Sequence, residues 1–203
     1  MLTFMMQRLP DRVRLPFNFD PCLLVRDLQT LASFDWIKHF VPQNYEGDWS
    51  VIPLRSKADA RHPVMMISAD PSATEFEDTT MLRNCPYFRE VLRTFECPLR
   101  TVRLMRLTPG SVIKEHHDVQ LSVEEGTARI HVPVVTNPDV EFYLNGSRVF
   151  LEPGSAWYLR LTDAHSVYNK GESDRVHLVV DATVNDWLKD SLEAAACRPQ
   201  EAA

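Results

Sequence analysis

At 203 residues with a formal net charge of −6, the chain can bury one sizeable core and lacks the concentrated basic surface that nucleic acid demands. Hydrophobic residues at 44% and charged residues at 25% are ordinary for a soluble globular protein, and no run approaches the ~18 apolar residues of a membrane span. The four cysteines, Cys22, Cys85, Cys97 and Cys197, stand apart with no C-x-x-C pair, which argues against a disulfide framework or a thiolate zinc site.

The opening "MLTFMMQRLP" is too short for a secretory h-region, so a cytoplasmic location is expected. Asn18 or Asp20 can cap a helix that opens at Pro21. Leu24, Leu28, Leu31 and Phe34 recur at helical spacing, predicting an amphipathic helix to about Phe40. A loop over Tyr45–Ser50 leads into a short strand, "WSVIPL", and residues 56–62 are polar. Pro86 opens a second helix with Phe88, Leu92 and Phe95 on one face.

From about Leu99 the texture becomes β. Six runs rich in branched and aromatic residues follow: "RTVRLMRL", "ARIHVPVV", "VEFYL", "SRVFL", "SAWYLRL" and "DRVHLVVDA". Turn signals separate them, and Asn145-Gly146 between two of the runs predicts a two-residue hairpin. Short strands at this spacing predict a mainly β sandwich or barrel. A helix from Asn185 to about Ala196 closes the chain, and the last residues are expected to fray. One domain is expected: an N-terminal support region (1–98), a β core (99–184), and a C-terminal helix and tail (185–203).

The stretch "KEHHDV" carries the first chemical signal. On an extended segment His116 and Asp118 point to one side while His117 points away. Two histidines and one carboxylate on one face, with open positions opposite, make the facial site of non-haem Fe(II) oxygenases. His165, just past "SAWYLRL", can supply the third ligand. Ten residues later, Arg175 begins a strand on which Arg175, His177 and Val179 share one face and Val176, Leu178 and Val180 the other. A guanidinium inside a barrel needs an anion, and a dicarboxylate co-substrate can supply one. Arg129 and His131 also share a face. Each piece alone has a plain alternative: a solvated acid–histidine cluster, a strand-end histidine, or an edge strand with a polar side.

In order, Pro109-Gly110, His116, Arg129-Ile-His131, His165 and Arg175 resemble the motifs of the aspartyl/asparaginyl β-hydroxylase family of Fe(II)/2-oxoglutarate dioxygenases. The similarity runs from about Arg103 to Asp186, with a weaker echo in "YEGDWSVIPLRS". "RVHLVVDA" also resembles bacterial proline cis-4-hydroxylases. The resemblance implies a double-stranded β-helix, a cupin-like jelly-roll barrel with flanking N- and C-terminal helices. It implies His116, Asp118 and His165 as iron ligands, Arg175 as the partner of the distal carboxylate of 2-oxoglutarate, and Arg129 and His131 as further co-substrate contacts. Asp118 stands where the family's animal peptidyl hydroxylase has Gly, so the chain looks closer to bacterial members.

The expected reaction is O₂-dependent hydroxylation of an unactivated C–H of an amino acid, chiefly an Asp- or Asn-type residue in a peptide or carrier-bound substrate. The alternatives are a free amino-acid (proline-type) hydroxylase and a non-catalytic metal-binding cupin-like module. No separate catalytic acid or base is expected. Tyr45, Asp48, Trp49 and Trp157 are candidate substrate contacts, His117 and His177 read as supporting residues, and His39 and His62 carry no motif.

Overall fold

A computed structural model of the protein describes residues 8–197. The apolar opening (residues 1–7) and the end expected to fray (residues 198–203) lie outside them.

The strands, in chain order, are β1 (Arg12–Asn18), β2 (Ile37–Lys38), β3 (Tyr45–Glu46), β4 (Trp49–Lys57), β5 (Phe76–Asp78), β6 (Leu99–Leu107) and β7 (Val112–His116). Then follow β8 (Thr127–Val135), β9 (Val140–Leu144), β10 (Ser147–Val149), β11 (Ser155–Leu159), β12 (His165–Asn169) and β13 (Arg175–Thr183). The larger sheet runs β1-β11-β8-β13-β6-β4-β2, with β5 paired to β4, and the smaller runs β10-β9-β12-β7-β3. All strand pairs are antiparallel. The two facing sheets form a jelly-roll barrel.

Period-two alternation divides the core. On β13, Val176, Leu178 and Val180 turn outward, joining Ile130 and Val132 of β8 and Val102 and Leu104 of β6. There they meet helices α1 (Pro21–Thr30), α4 (Pro86–Arg93) and α5 (Asp186–Ala196) through Leu24, Phe88, Val91, Leu188 and Leu192. The opposite face lines the barrel, where Val51, Met105, Leu107 and Val179 meet Ile113, Phe142 and Val167 of the smaller sheet. Two short helices, α2 (Pro63–Ile67) and α3 (Thr80–Arg83), sit beside β4. No helix among the described residues is long and apolar enough to cross a membrane.

Helix α1 starts as expected, with the Asp20 carboxylate accepting from the backbone N–H groups of Cys22 and Leu23. It ends at Thr30, ten residues before the periodicity suggests. The chain must turn there, because Ile37 and Lys38 pair with Val51 and Ser50 as the edge strand β2. Leu31 still buries its side chain on the turn. The fully buried Asp27 carboxylate accepts from the Phe88 N–H at 2.9 Å, satisfying an orphan donor in the first turn of α4.

The six expected β runs become eight strands. The two additions, "VIKEH" and "HSVYN", mix polar and apolar residues and carry the histidines His116 and His165. The hairpin over Asn145-Gly146 forms as predicted, both residues holding positive φ (50° and 71°) between β9 and β10. "ARIHVPVV" is no edge strand: β8 lies between β11 and β13, so its Arg and His face the barrel interior.

Gly154 binds the edge strand β1 to the barrel. Its N–H donates to the Pro133 carbonyl, its own carbonyl accepts from the Phe19 N–H, and its φ is +80°. A Cβ there would lie 2.1 Å from the Phe19 carbonyl oxygen. Gly154→Ala is therefore expected to destabilise the fold by more than about 1 kcal/mol, read by chemical denaturation.

Candidate metal centre

His116 ends β7 and His165 begins β12, and the two residues are direct cross-strand partners. That register makes neighbours of side chains 49 positions apart, with ring centroids 4.2 Å from each other. A register irregularity between His165 and Val167 ends the regular ladder beside the pair. The chain leaves β7 through a segment pinned by the Asp118 N–H donating to the Leu161 carbonyl at 2.8 Å, which turns Asp118 back toward the histidines. One donor atom from each of His116, Asp118 and His165 then lies within 4.8 Å of the others, so the three could hold a metal ion. His117 points away and contacts the Thr162 carbonyl.

Backbone contacts set the ring orientations. Nδ1 of His116 lies 2.7 Å from the Lys114 carbonyl, and Nδ1 of His165 lies 3.0 Å from that of Asp163. Only a protonated Nδ1 can donate to a carbonyl, so in each neutral ring Nε2 keeps the free lone pair. Burial pushes the His165 imidazole down to about 4, against the opposing Asp163 carbonyl, so that ring is neutral near pH 7.

The Asp118 carboxylate is oriented from behind. Its Oδ2 accepts from Arg129 Nη1 at 2.7 Å, while Oδ1 lies 3.7 Å from His116 Nε2. Nε and Nη2 of Arg129 donate to Asp181 at 2.6 and 3.0 Å, across the register in which the two residues are direct partners. Asp181 also accepts from Arg103 and from the Thr101 hydroxyl. Burial alone would raise the Asp181 carboxyl, but the two guanidiniums and their hydrogen bonds hold it well below the usual carboxylate range. The chain of charges is Arg103, Asp181, Arg129, Asp118. Arg129 lines the cavity, as a co-substrate contact would, but all three of its side-chain nitrogens are bonded to carboxylates. These three bonds orient Asp118 and still leave one N–H on each of Nη1 and Nη2.

A cavity of about 190 Å³ opens beside the three donors. Its walls include Trp49, Met105, Ile113, Leu161 and Val167, and Arg175 and His131 also line it. Arg175 is 2% exposed and its Nε has no partner. Burial lowers its guanidinium to about 9, so it remains a cation near pH 7. The Nδ1 atoms of His131 and His177 lie 3.2 Å apart, and Nε2 of His131 is buried without a partner. Burial holds both rings well below the ordinary histidine range, so both are neutral.

Of the candidate substrate contacts, Trp49 alone lines this cavity. Tyr45 packs edge-on against Trp49, Asp48 turns toward Arg106 at 3.9 Å, and the indole N–H of Trp157 donates to the Ser155 hydroxyl. His39, which carries no motif, lines the cavity with its ring stacked on Trp49 at 3.6 Å. His62 caps α2. Arg103 and Asp181 were also missed by motif. Asp181 continues the alternation Arg175, His177, Val179 by one step, a signal readable in the sequence.

The profile of the family described as Aspartyl/Asparaginyl beta-hydroxylase matches residues 24–184, well over half of the chain. L-proline cis-3-hydroxylase 2 from a Streptomyces species is 26% identical over 168 residues, covering 81% of this chain. The chain spans 57% of the length of that relative. A Burkholderia pseudomallei oxidoreductase of the 2OG-Fe(II) oxygenase family superposes with a TM-score of 0.54 at 15% identity, over 86% of this chain and 85% of that one. A Pseudomonas putida prolyl-4-hydroxylase gives 0.51 at 10% identity, over 86% and 93%. At such identities the two structures show a common fold alone, the jelly-roll barrel described above. With the profile match across residues 24–184, the chain belongs to the aspartyl/asparaginyl β-hydroxylase family.

Proposed function

We propose that the protein is an Fe(II)- and 2-oxoglutarate-dependent oxygenase that hydroxylates an unactivated C–H of an amino acid. The observation that carries this reading is the convergence of His116, Asp118 and His165 at one end of a cavity that also holds the unpaired cation Arg175. The donor set fits ferrous iron: two imidazole nitrogens with free lone pairs and one carboxylate oxygen leave open positions on the metal. Arg175 fits the distal carboxylate of the co-substrate by charge and by the parallel donors of a guanidinium. The unpartnered Nε2 of His131 offers the co-substrate a further polar contact inside the cavity.

When bound together, iron, 2-oxoglutarate and dioxygen supply the oxidising power that places an oxygen atom in a C–H bond. The chain's own residues prepare the site. His116 and His165, each with Nδ1 against a backbone carbonyl, present Nε2, and Arg129 holds Asp118 so that Oδ1 remains available. Arg175 fixes one end of the co-substrate, and Met105, Ile113, Leu161 and Val167 exclude water from the reacting carbon.

For the substrate, the likeness to an L-proline cis-3-hydroxylase supports a free cyclic amino acid. The half-exposed Phe40 and the exposed Val119, both on the cavity wall, favour the second reading, an Asp- or Asn-type residue carried on a peptide or carrier that lies across an apolar rim. Screening L-proline, free amino acids and Asp- or Asn-containing peptides for a mass gain of one oxygen atom, with succinate formation, separates the two.

His165→Ala is expected to abolish iron retention, together with the visible charge-transfer absorption of the anaerobic Fe(II)–2-oxoglutarate complex. Arg175→Ala is expected to keep iron but to raise the 2-oxoglutarate concentration needed for that absorption by about 100-fold, as for the loss of a buried charged partner. Arg129→Gln should weaken iron binding by about 10- to 100-fold, measured by metal titration, since it removes the group that orients Asp118.

A further inference from the structure

Behind Arg175 lies a second chamber. It measures about 320 Å³ and is lined by Val140, Val149, Leu151 and Pro138, together with Phe142, His177 and Arg175. Phe142 and Arg175 line both this chamber and the metal-side cavity, whereas His131 lines only the metal side and His177 only the rear. The contacting His131–His177 pair, Phe142 and Arg175 thus form a partition one side chain thick.

Arg175 is the part of that partition that no ion pair holds. Arg103 and Arg129 are tied to Asp181, and the buried Arg160 to Asp163. Among the described residues, Arg175 is the buried arginine with no carboxylate partner. Its Nε is unpartnered and its guanidinium carbon lies 5.8 Å from the Phe142 ring centroid, a contact that does not fix direction. Glu152, on the wall of the same chamber, pairs with Arg14 at 3.4 Å rather than with Arg175. A cation with no ion pair and open volume behind it has room to retreat without breaking one.

We propose that Arg175 is a retractable stop, and that the co-substrate pocket therefore accepts a 2-oxo dicarboxylic acid one methylene longer than 2-oxoglutarate. The inference rests on the 2-oxoglutarate reading above. The added carbon moves the distal carboxylate by roughly 1.3 Å along the chain. The guanidinium backs into the rear chamber by that amount and keeps its pairing with the distal carboxylate. Had the guanidinium been pinned by an acid, or backed by packed side chains, the longer acid would have been excluded.

The test is anaerobic titration of the Fe(II)-loaded protein with 2-oxoglutarate, 2-oxoadipate and 2-oxohexanoate, reading the charge-transfer absorption. The expected result is a 2-oxoadipate Kd within about tenfold of that for 2-oxoglutarate, with 2-oxohexanoate, which lacks the distal carboxylate, weaker than 2-oxoadipate by at least about tenfold. Filling the rear chamber with Val140→Phe should weaken 2-oxoadipate at least about tenfold more than 2-oxoglutarate. Val140→Leu, milder at a half-buried position, reads the same contrast should the larger ring prevent folding. A 2-oxoglutarate absorption with none from 2-oxoadipate at a 100-fold higher concentration would overturn the inference, as would 2-oxohexanoate binding as tightly as 2-oxoadipate or a chamber-filling variant that moves both dicarboxylates equally. No absorption from 2-oxoglutarate either would instead remove the co-substrate reading beneath it.

Discussion

Asp181 sits at the centre of the larger sheet with two guanidiniums on its two oxygens and a threonine hydroxyl besides. Arg103 and Arg129 come from the strands on either side of β13 and would each be a buried charge without an anion if that carboxylate were lost. Such a charge costs several kcal/mol, far more than an exposed ion pair contributes. The charge pairing therefore helps keep β6, β13 and β8 in register at the metal end of the barrel. Because Arg129 also holds Asp118, the position of the candidate ligand carboxylate depends on the same buried cluster.

The barrel has two chemically different ends. At one, two imidazoles and a held carboxylate face each other. At the other, a lone cation waits among aromatic and imidazole rings. The chain connects the two ends by running down β12, crossing through the compact connection around Asn169 and Gly171, and entering β13 at Arg175. Asn169 donates to the Leu107 and Ser173 carbonyls, and a Cβ on Gly171 would strike the Asn137 side chain, so this crossing is closely packed. The ten-residue interval between His165 and Arg175 is thus a five-residue strand plus a five-residue connection. It sets the separation of the His116–Asp118–His165 cluster and Arg175 along the barrel.

Neutrality and charge are also distributed by burial. His131, His165 and His177 are each pushed toward the neutral form by desolvation, which leaves nitrogen lone pairs and N–H donors for coordination and hydrogen bonding. Arg175 undergoes the same desolvation but starts from a much higher pKa and keeps its charge. One low-dielectric interior thereby holds neutral histidines and a charged Arg175 around the same cavity.

Much of this was written locally in the chain. The alternation on β13, the Asn145-Gly146 hairpin, the helix start at Asp20–Pro21 and the order of His116, Asp118, His165 and Arg175 follow from residue type and spacing, because side-chain direction on a strand has period two and turns demand particular residues. The end of α1 was not legible, since propensity favours continuing and only the pairing of β2 with β4 stops it. The strands carrying His116 and His165 lacked an apolar signature because each is partly given over to polar residues at the site. The cross-strand register of those two histidines, the enlistment of Arg129 by Asp181 and Asp118, the entry of His39 into the cavity wall and the chamber behind Arg175 were decided only by tertiary structure. Each depends on which distant backbone lies opposite, and that is set by the packing of two sheets rather than by any local run of residues.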